Sequence, residues 1–121
     1  ALEFYNKSLI IKKETNDQYG IANTLNNIGY LFDKQGNSNK AELFYQKSLK
    51  IREELNDKGG ISACYNNIGI LYMDMKNYDV ALDYQLKSLK FKLVELFQIQ
   101  LAIYHTLLFC KISFLSQKNL E

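Results

Sequence analysis

Ala41-Glu-Leu-Phe-Tyr-Gln-Lys-Ser-Leu49 stands forty residues after Ala1-Leu-Glu-Phe-Tyr-Asn-Lys-Ser-Leu9 and forty before Ala81-Leu-Asp-Tyr-Gln-Leu-Lys-Ser-Leu89. The register extends outward from these nonapeptides. Glu14, Asn16, Asp17, Gly20 and Ile21 fall on Glu54, Asn56, Asp57, Gly60 and Ile61, and Asn26-Asn27-Ile28-Gly29 falls on Asn66-Asn67-Ile68-Gly69. Between residues 1–40 and 41–80, 18 of the 40 aligned pairs are identical. Self-similarity at a fixed period of this size marks stacked supersecondary units rather than one globular core.

Each period holds two helical patterns. Ile21, Leu25, Ile28, Gly29 and Phe32 lie at offsets 0, 4, 7, 8 and 11, one face of a 3.6-residue helix; Ile61, Tyr65, Ile68, Gly69 and Tyr72 repeat them. Ala41, Phe44, Tyr45, Ser48, Leu49 and Leu55 form the second stripe. Gly29, Gly69, Ala41, Ala81, Ser48 and Ser88 put small residues on these faces, where neighbouring helix axes can approach closely. Gly36-Asn37 and Lys76-Asn77 separate the two helices of a pair, with Asn placed to N-cap the second. Asn16-Asp17 and Asn56-Asp57, followed by Gly, stop one pair and start the next. No segment alternates with a strand's period.

These residues resemble the tetratricopeptide repeat. Leu25…Ile28-Gly29…Phe32 and Tyr65…Ile68-Gly69…Tyr72 fit the family's first helix; Ala1…Tyr5…Ser8, Ala41…Tyr45…Ser48 and Ala81…Gln85…Ser88 fit its second, with Gln85 the one departure. The usual period is shorter and often closes on Pro. The forty-residue variant with Asn-Asn-Ile-Gly is similar to arrays in cell-polarity adaptors, kinesin light chains and bacterial or protist signalling proteins. The resemblance implies an all-α fold, a right-handed α-solenoid of antiparallel helix pairs. Its expected divisions are a lone second helix over 1–16, repeats over 17–56 and 57–95, and a degenerate apolar helix over 96–121. Because residue 1 opens on a second helix, the chain reads as a piece of a longer array.

Composition sets the exclusions. At 47% hydrophobic and 23% charged residues the chain is too apolar for disorder. A formal charge of +2 gives no reason to expect nucleic acid or an anionic membrane surface as partner. One histidine and two distant cysteines, Cys64 and Cys110, exclude a disulfide framework and the common zinc clusters. The cysteines read as reduced thiols of a cytoplasmic protein. His105 takes the place of Leu25 and Tyr65, a packing site, and reads as a structural histidine at least partly buried. Gly59-Gly60 lacks the Lys-Ser/Thr of a phosphate loop. No catalytic residue, metal or cofactor is expected.

Asparagine is a mediocre helix former, yet Asn26-Asn27 and Asn66-Asn67 recur inside the first helix of each pair. An amide carries both donors and an acceptor, so it can bond the backbone of an extended peptide. In the resembling families the second Asn of this pair contacts the peptide in the concave groove, which carries over to Asn27 and Asn67. The alternative is that one Asn of each pair bonds a neighbouring helix and stiffens the stack. Asn23, Tyr30, Asp33 and Lys34 would line the same surface in one repeat, and Ala63, Ile70, Met73 and Asp74 in the next. With Lys34 the one base among them, the family's carboxylate clamp is not supported. The expected function is a protein-interaction scaffold that holds a mixed polar and apolar peptide of a partner protein.

The tail departs from the pattern. A further shift of forty puts Leu101, His105, Leu108, Phe109 and Ile112 on the first-helix frame, but Asn-Asn-Ile-Gly becomes Thr106-Leu107-Leu108-Phe109. The turn becomes Leu96-Phe97-Gln98-Ile99-Gln100, with no breaker, so the preceding helix can run on unbroken. Apolar residues appear on every side from Phe91 to Leu115. Glu95, Gln98, Gln100 and His105 interrupt any membrane span, where a centred charge costs ~2.5–3.5 kcal/mol, so no membrane is expected. Self-association through Phe97 to Leu115 is expected instead, and it supplies the alternative function, a structural or oligomerisation segment.

Overall fold

The computed structural model describes residues 1–120 of the chain. Five helices follow one another: α1 (Leu2–Glu14), α2 (Gln18–Lys34), α3 (Ser38–Glu54), α4 (Lys58–Asp74) and α5 (Tyr78–Leu120), with no strand among the described residues. The fold is an all-α repeat solenoid, as the period predicts. α2, α3 and α4 each have 17 residues, so with a three-residue turn the forty-residue period divides into equal halves.

Every turn uses the same device. Asn16, Gly36, Asn56 and Lys76 adopt positive φ of 55°, 76°, 53° and 60°. The next N–H in each case reaches back to a carbonyl of the ending helix: Asp17 to Lys12 (2.8 Å), Asn37 to Phe32 (2.8 Å), Asp57 to Arg52 (2.9 Å) and Asn77 to Tyr72 (2.9 Å). This is the Schellman closure, which satisfies carbonyls that a helix end leaves unpaired. The same residue then opens the following helix. Asp17, Asn37 and Asp57 accept from the N–H of Gly20 (2.9 Å), Lys40 (3.3 Å) and Gly60 (3.0 Å). A dipeptide therefore ends one helix and caps the next.

Residues 1–91 form one compact unit. Its core gathers Ala41, Tyr45, Leu49, Ile61, Cys64, Ile68 and Leu71, with Phe32, Tyr65, Tyr72, Tyr84 and Phe91 packed around it. Burial of Ile28, Ile68 and Leu71, all fully inaccessible, stabilises the unit by about 1.5–3 kcal/mol apiece. The small residues have the predicted role. A Cβ on Gly29 would lie 2.8 Å from the Tyr45 ring, and one on Gly69 would lie 2.7 Å from Gln85 Nε2. The serines also bond: Ser48 Oγ donates to the Ala22 carbonyl at 2.8 Å, and Ser88 Oγ to the Ser62 carbonyl at 2.9 Å. Both bonds tie a second helix to the backbone of the first helix of its pair.

Residues 92–121 form a second unit, whose described part continues α5. The helix runs through residues 95 and 96 without interruption, consistent with the lack of any Gly, Pro or Asn-Asp turn there. Nearly every residue of this part is exposed, Phe97, Phe109 and Phe114 among them. His105 is exposed as well, which corrects its expected place in a packing site: this part of the helix encloses almost no side chain. By length and composition α5 is apolar enough to cross a membrane, and its most apolar stretch is unburied.

Candidate peptide-binding face

The first helices of successive repeats, α2 and α4, are joined by an amide pair: Asn67 Nδ2 donates to Asn26 Oδ1 at 2.9 Å. The contact runs from the first Asn of one repeat to the second Asn of the next. A doubled asparagine is what such a link requires, because each repeat must supply one amide forward and one back. Asn26 and Asn67 therefore stiffen the stack. The bond leaves the Asn67 oxygen and the Asn26 amide hydrogens with further capacity. Asn27 is exposed; Asn66 is half-buried, and its carbonyl accepts from Gln85 Nε2 at 3.3 Å.

The remaining candidate residues divide into three situations. Asn23 is drawn to α3, where its side-chain oxygen accepts from Arg52 Nη2. Tyr30, 53% exposed, carries the Lys34 ammonium 5.2 Å from its ring centroid. Ala63, Ile70, Met73 and Asp74 are exposed on α4. Partial burial raises the Asp33 carboxyl above its ordinary range, the nearby Asp74 charge raises it further, and Lys34 opposes both. The face thus combines two mutually repelling carboxylates, one ammonium stacked on a ring, and exposed apolar side chains.

Arg52 was not singled out by the motifs. Its Nη1 pairs with Asp57 Oδ2 at 2.8 Å, with the two side chains 12% and 23% exposed, and its Nε donates to Ser48 Oγ at 3.3 Å. It therefore connects α3 to the α4 cap and to α2. Lys12 holds the corresponding place one period earlier and reaches Thr24 Oγ1 at 2.9 Å. The available signal was a base recurring at Lys12, Arg52 and Lys92, five residues before Asp17 and Asp57 in the first two copies.

Neither thiol is engaged in a disulfide. Burial pushes the Cys64 thiol up, against a bond from Sγ to Ser48 Oγ at 3.6 Å that lowers it, so at neutral pH it stays a protonated core side chain. Among the described residues no group of three or more His, Cys, Asp or Glu is placed to hold a metal ion.

Comparison with known proteins agrees with this geometry. Residues 1–54 and 61–92 match family models for the tetratricopeptide repeat. Thirteen chains of solved structures match, among them BtubC (BKLC) from P. vanneervenii, with a TM-score of 0.65 and 26% identity over 74% of this chain. The match covers 37% of BtubC, so the chain spans little more than a third of that protein. No curated protein sequence matches. Paired helices closed by recurring αL–cap dipeptides, and matching those models as far as residue 92, have one interpretation: the chain belongs to the tetratricopeptide repeat family.

Proposed function

We propose that the chain is a non-enzymatic interaction scaffold of the cytoplasm that holds an extended segment of a partner protein across the α2–α4 face. Tetratricopeptide repeats generally mediate protein–protein interaction. The finer reading is supported by one observation, the exposed Asn27 beside the Asn26–Asn67 pair. These amides offer a peptide backbone donors and acceptors from two successive repeats, independent of its side chains. Side-chain preference comes from the surroundings. Tyr30, Ile70 and Met73 suit apolar residues, and Asp33 with Asp74 suits a Lys or Arg that relieves their repulsion. The unlinked thiols favour the reducing cytoplasm.

The test is calorimetry with peptides selected from a random library against this chain. Loss of one Asn–backbone bond costs ~0.5–1.5 kcal/mol, so Asn27→Ala should weaken binding roughly 2- to 13-fold without lowering the thermal midpoint. Asp74→Asn should weaken peptides containing Lys or Arg selectively. Selected peptides that bind both variants as tightly as the parent chain would overturn the assignment.

A second reading is favoured by α5: a structural segment that associates through its apolar C-terminal part. Phe97, Phe109 and Phe114 are 65%, 72% and 65% exposed, and patches of such residues mark interaction surfaces.

A further inference from the structure

The described part of the second unit is one uninterrupted helical stretch, and it carries a seven-residue repeat. Leu93, Gln100, Leu107 and Phe114 recur every seven residues. Leu96, Ile103, Cys110 and Gln117 recur three residues after them. This alternation of three and four is the seam along which two helices interlock in a coiled coil. The seam lies open: Leu96, Leu107 and Phe114 are 61%, 64% and 65% exposed, and Cys110 is exposed as well. The frame one residue on, from Val94 and Phe97, is as rich in apolar residues but takes in Lys111 and Lys118 with no acid to pair them. The first frame holds no charge, and its two polar side chains are both amides.

Those amides say what covers the seam. An amide buried in a layer needs a partner with both donor and acceptor. Lipid offers neither, whereas a second copy of the helix brings an identical amide to the same seam. Two alignments of a copy pair both amides. One is parallel and in register, with Gln100 on Gln100 and Gln117 on Gln117. The other is antiparallel, with Gln100 on Gln117, and it leaves Leu93 and Leu96 outside the overlap of residues 92–120. The parallel alignment covers every apolar residue of the seam.

We propose that residues 93–117 pair with the same residues of a second copy as a parallel, in-register coiled coil. The inference rests on the second reading above, association through the C-terminal part, and adds the occupant, its direction and its register.

Sedimentation and mild oxidation of the 121-residue chain test it. The parent chain should sediment as a dimer. Leu107→Lys puts a charge at an exposed position in the middle of the seam, so it should halve the mass. The parallel register sets Cys110 against Cys110 within disulfide range, whereas the antiparallel one sets it against Leu107. Oxidation of the parent chain should therefore give a covalent dimer on a denaturing gel, and neither Cys110→Ser nor Leu107→Lys should form it. A dimer that yields no Cys110 link overturns the parallel register and leaves association through the C-terminal part standing. A parent chain that stays monomeric, in buffer or bound to phosphatidylcholine vesicles, overturns both.

Discussion

Lys76 holds the backbone at φ 60°, where Gly36 sits without strain and Asn16 and Asn56 with little. Crowding of an L side chain there costs about 1–2 kcal/mol, so Lys76→Gly should raise the urea midpoint by an amount equivalent to about 1 kcal/mol. Gly29 is the opposite case. Alanine is the better helix former by about 1 kcal/mol, but its Cβ would meet the Tyr45 ring at 2.8 Å and the Ala41 carbonyl at 3.2 Å. Overpacking outweighs propensity, and Gly29→Ala should lose about 1–3 kcal/mol in the same titration. Tyr45 itself is 2% exposed, and burial first, then the Asp33 charge, pushes its phenol from 10.0 up to about 12. A folded-state pKa above the unfolded value gives stability that is complete below pH 10 and lost as pH rises toward about 12. Stability measured by denaturation across that window should fall steeply for the parent chain and more gently for Tyr45→Phe.

At the scale of the element, the capping dipeptides carry different loads. Asp17 caps α2, whereas Asp57 caps α4 and also pairs with the largely buried Arg52. Asp17→Ala should cost ~1 kcal/mol, the ordinary worth of a cap. Asp57→Ala should cost about 2–3 kcal/mol, because it also leaves the guanidinium without its charged partner; equal losses in chemical denaturation would deny the ion pair its role. What could be read beforehand follows the same boundary between local and distant. Turns were legible because αL and cap residues are neighbours in sequence, and the buried faces because one helix displays its whole period. The links Asn67–Asn26 and Arg52–Asn23 join residues 41 and 29 apart, and only the stacking of helices decides which amide meets which. The tail was harder still. With no Gly, Pro or Asn-Asp turn between residues 91 and 105 the helix runs on, and His105 lies in the open.

At the scale of the whole molecule, residues 1–91 are the part built by repetition: each helix pair there is stabilised by its neighbours. The α2–α4 face exists because successive first helices are pinned by one amide of each asparagine doublet, which leaves Asn27 exposed. The central claim, that a partner segment lies across the α2–α4 face, is tested most directly by amide chemical-shift mapping of the labelled chain with a library-selected peptide. The account predicts that the largest shifts fall at Asn27, Tyr30, Asn67, Ile70 and Asp74. Shifts confined to residues 97–115, with α2 and α4 unmoved, would contradict it.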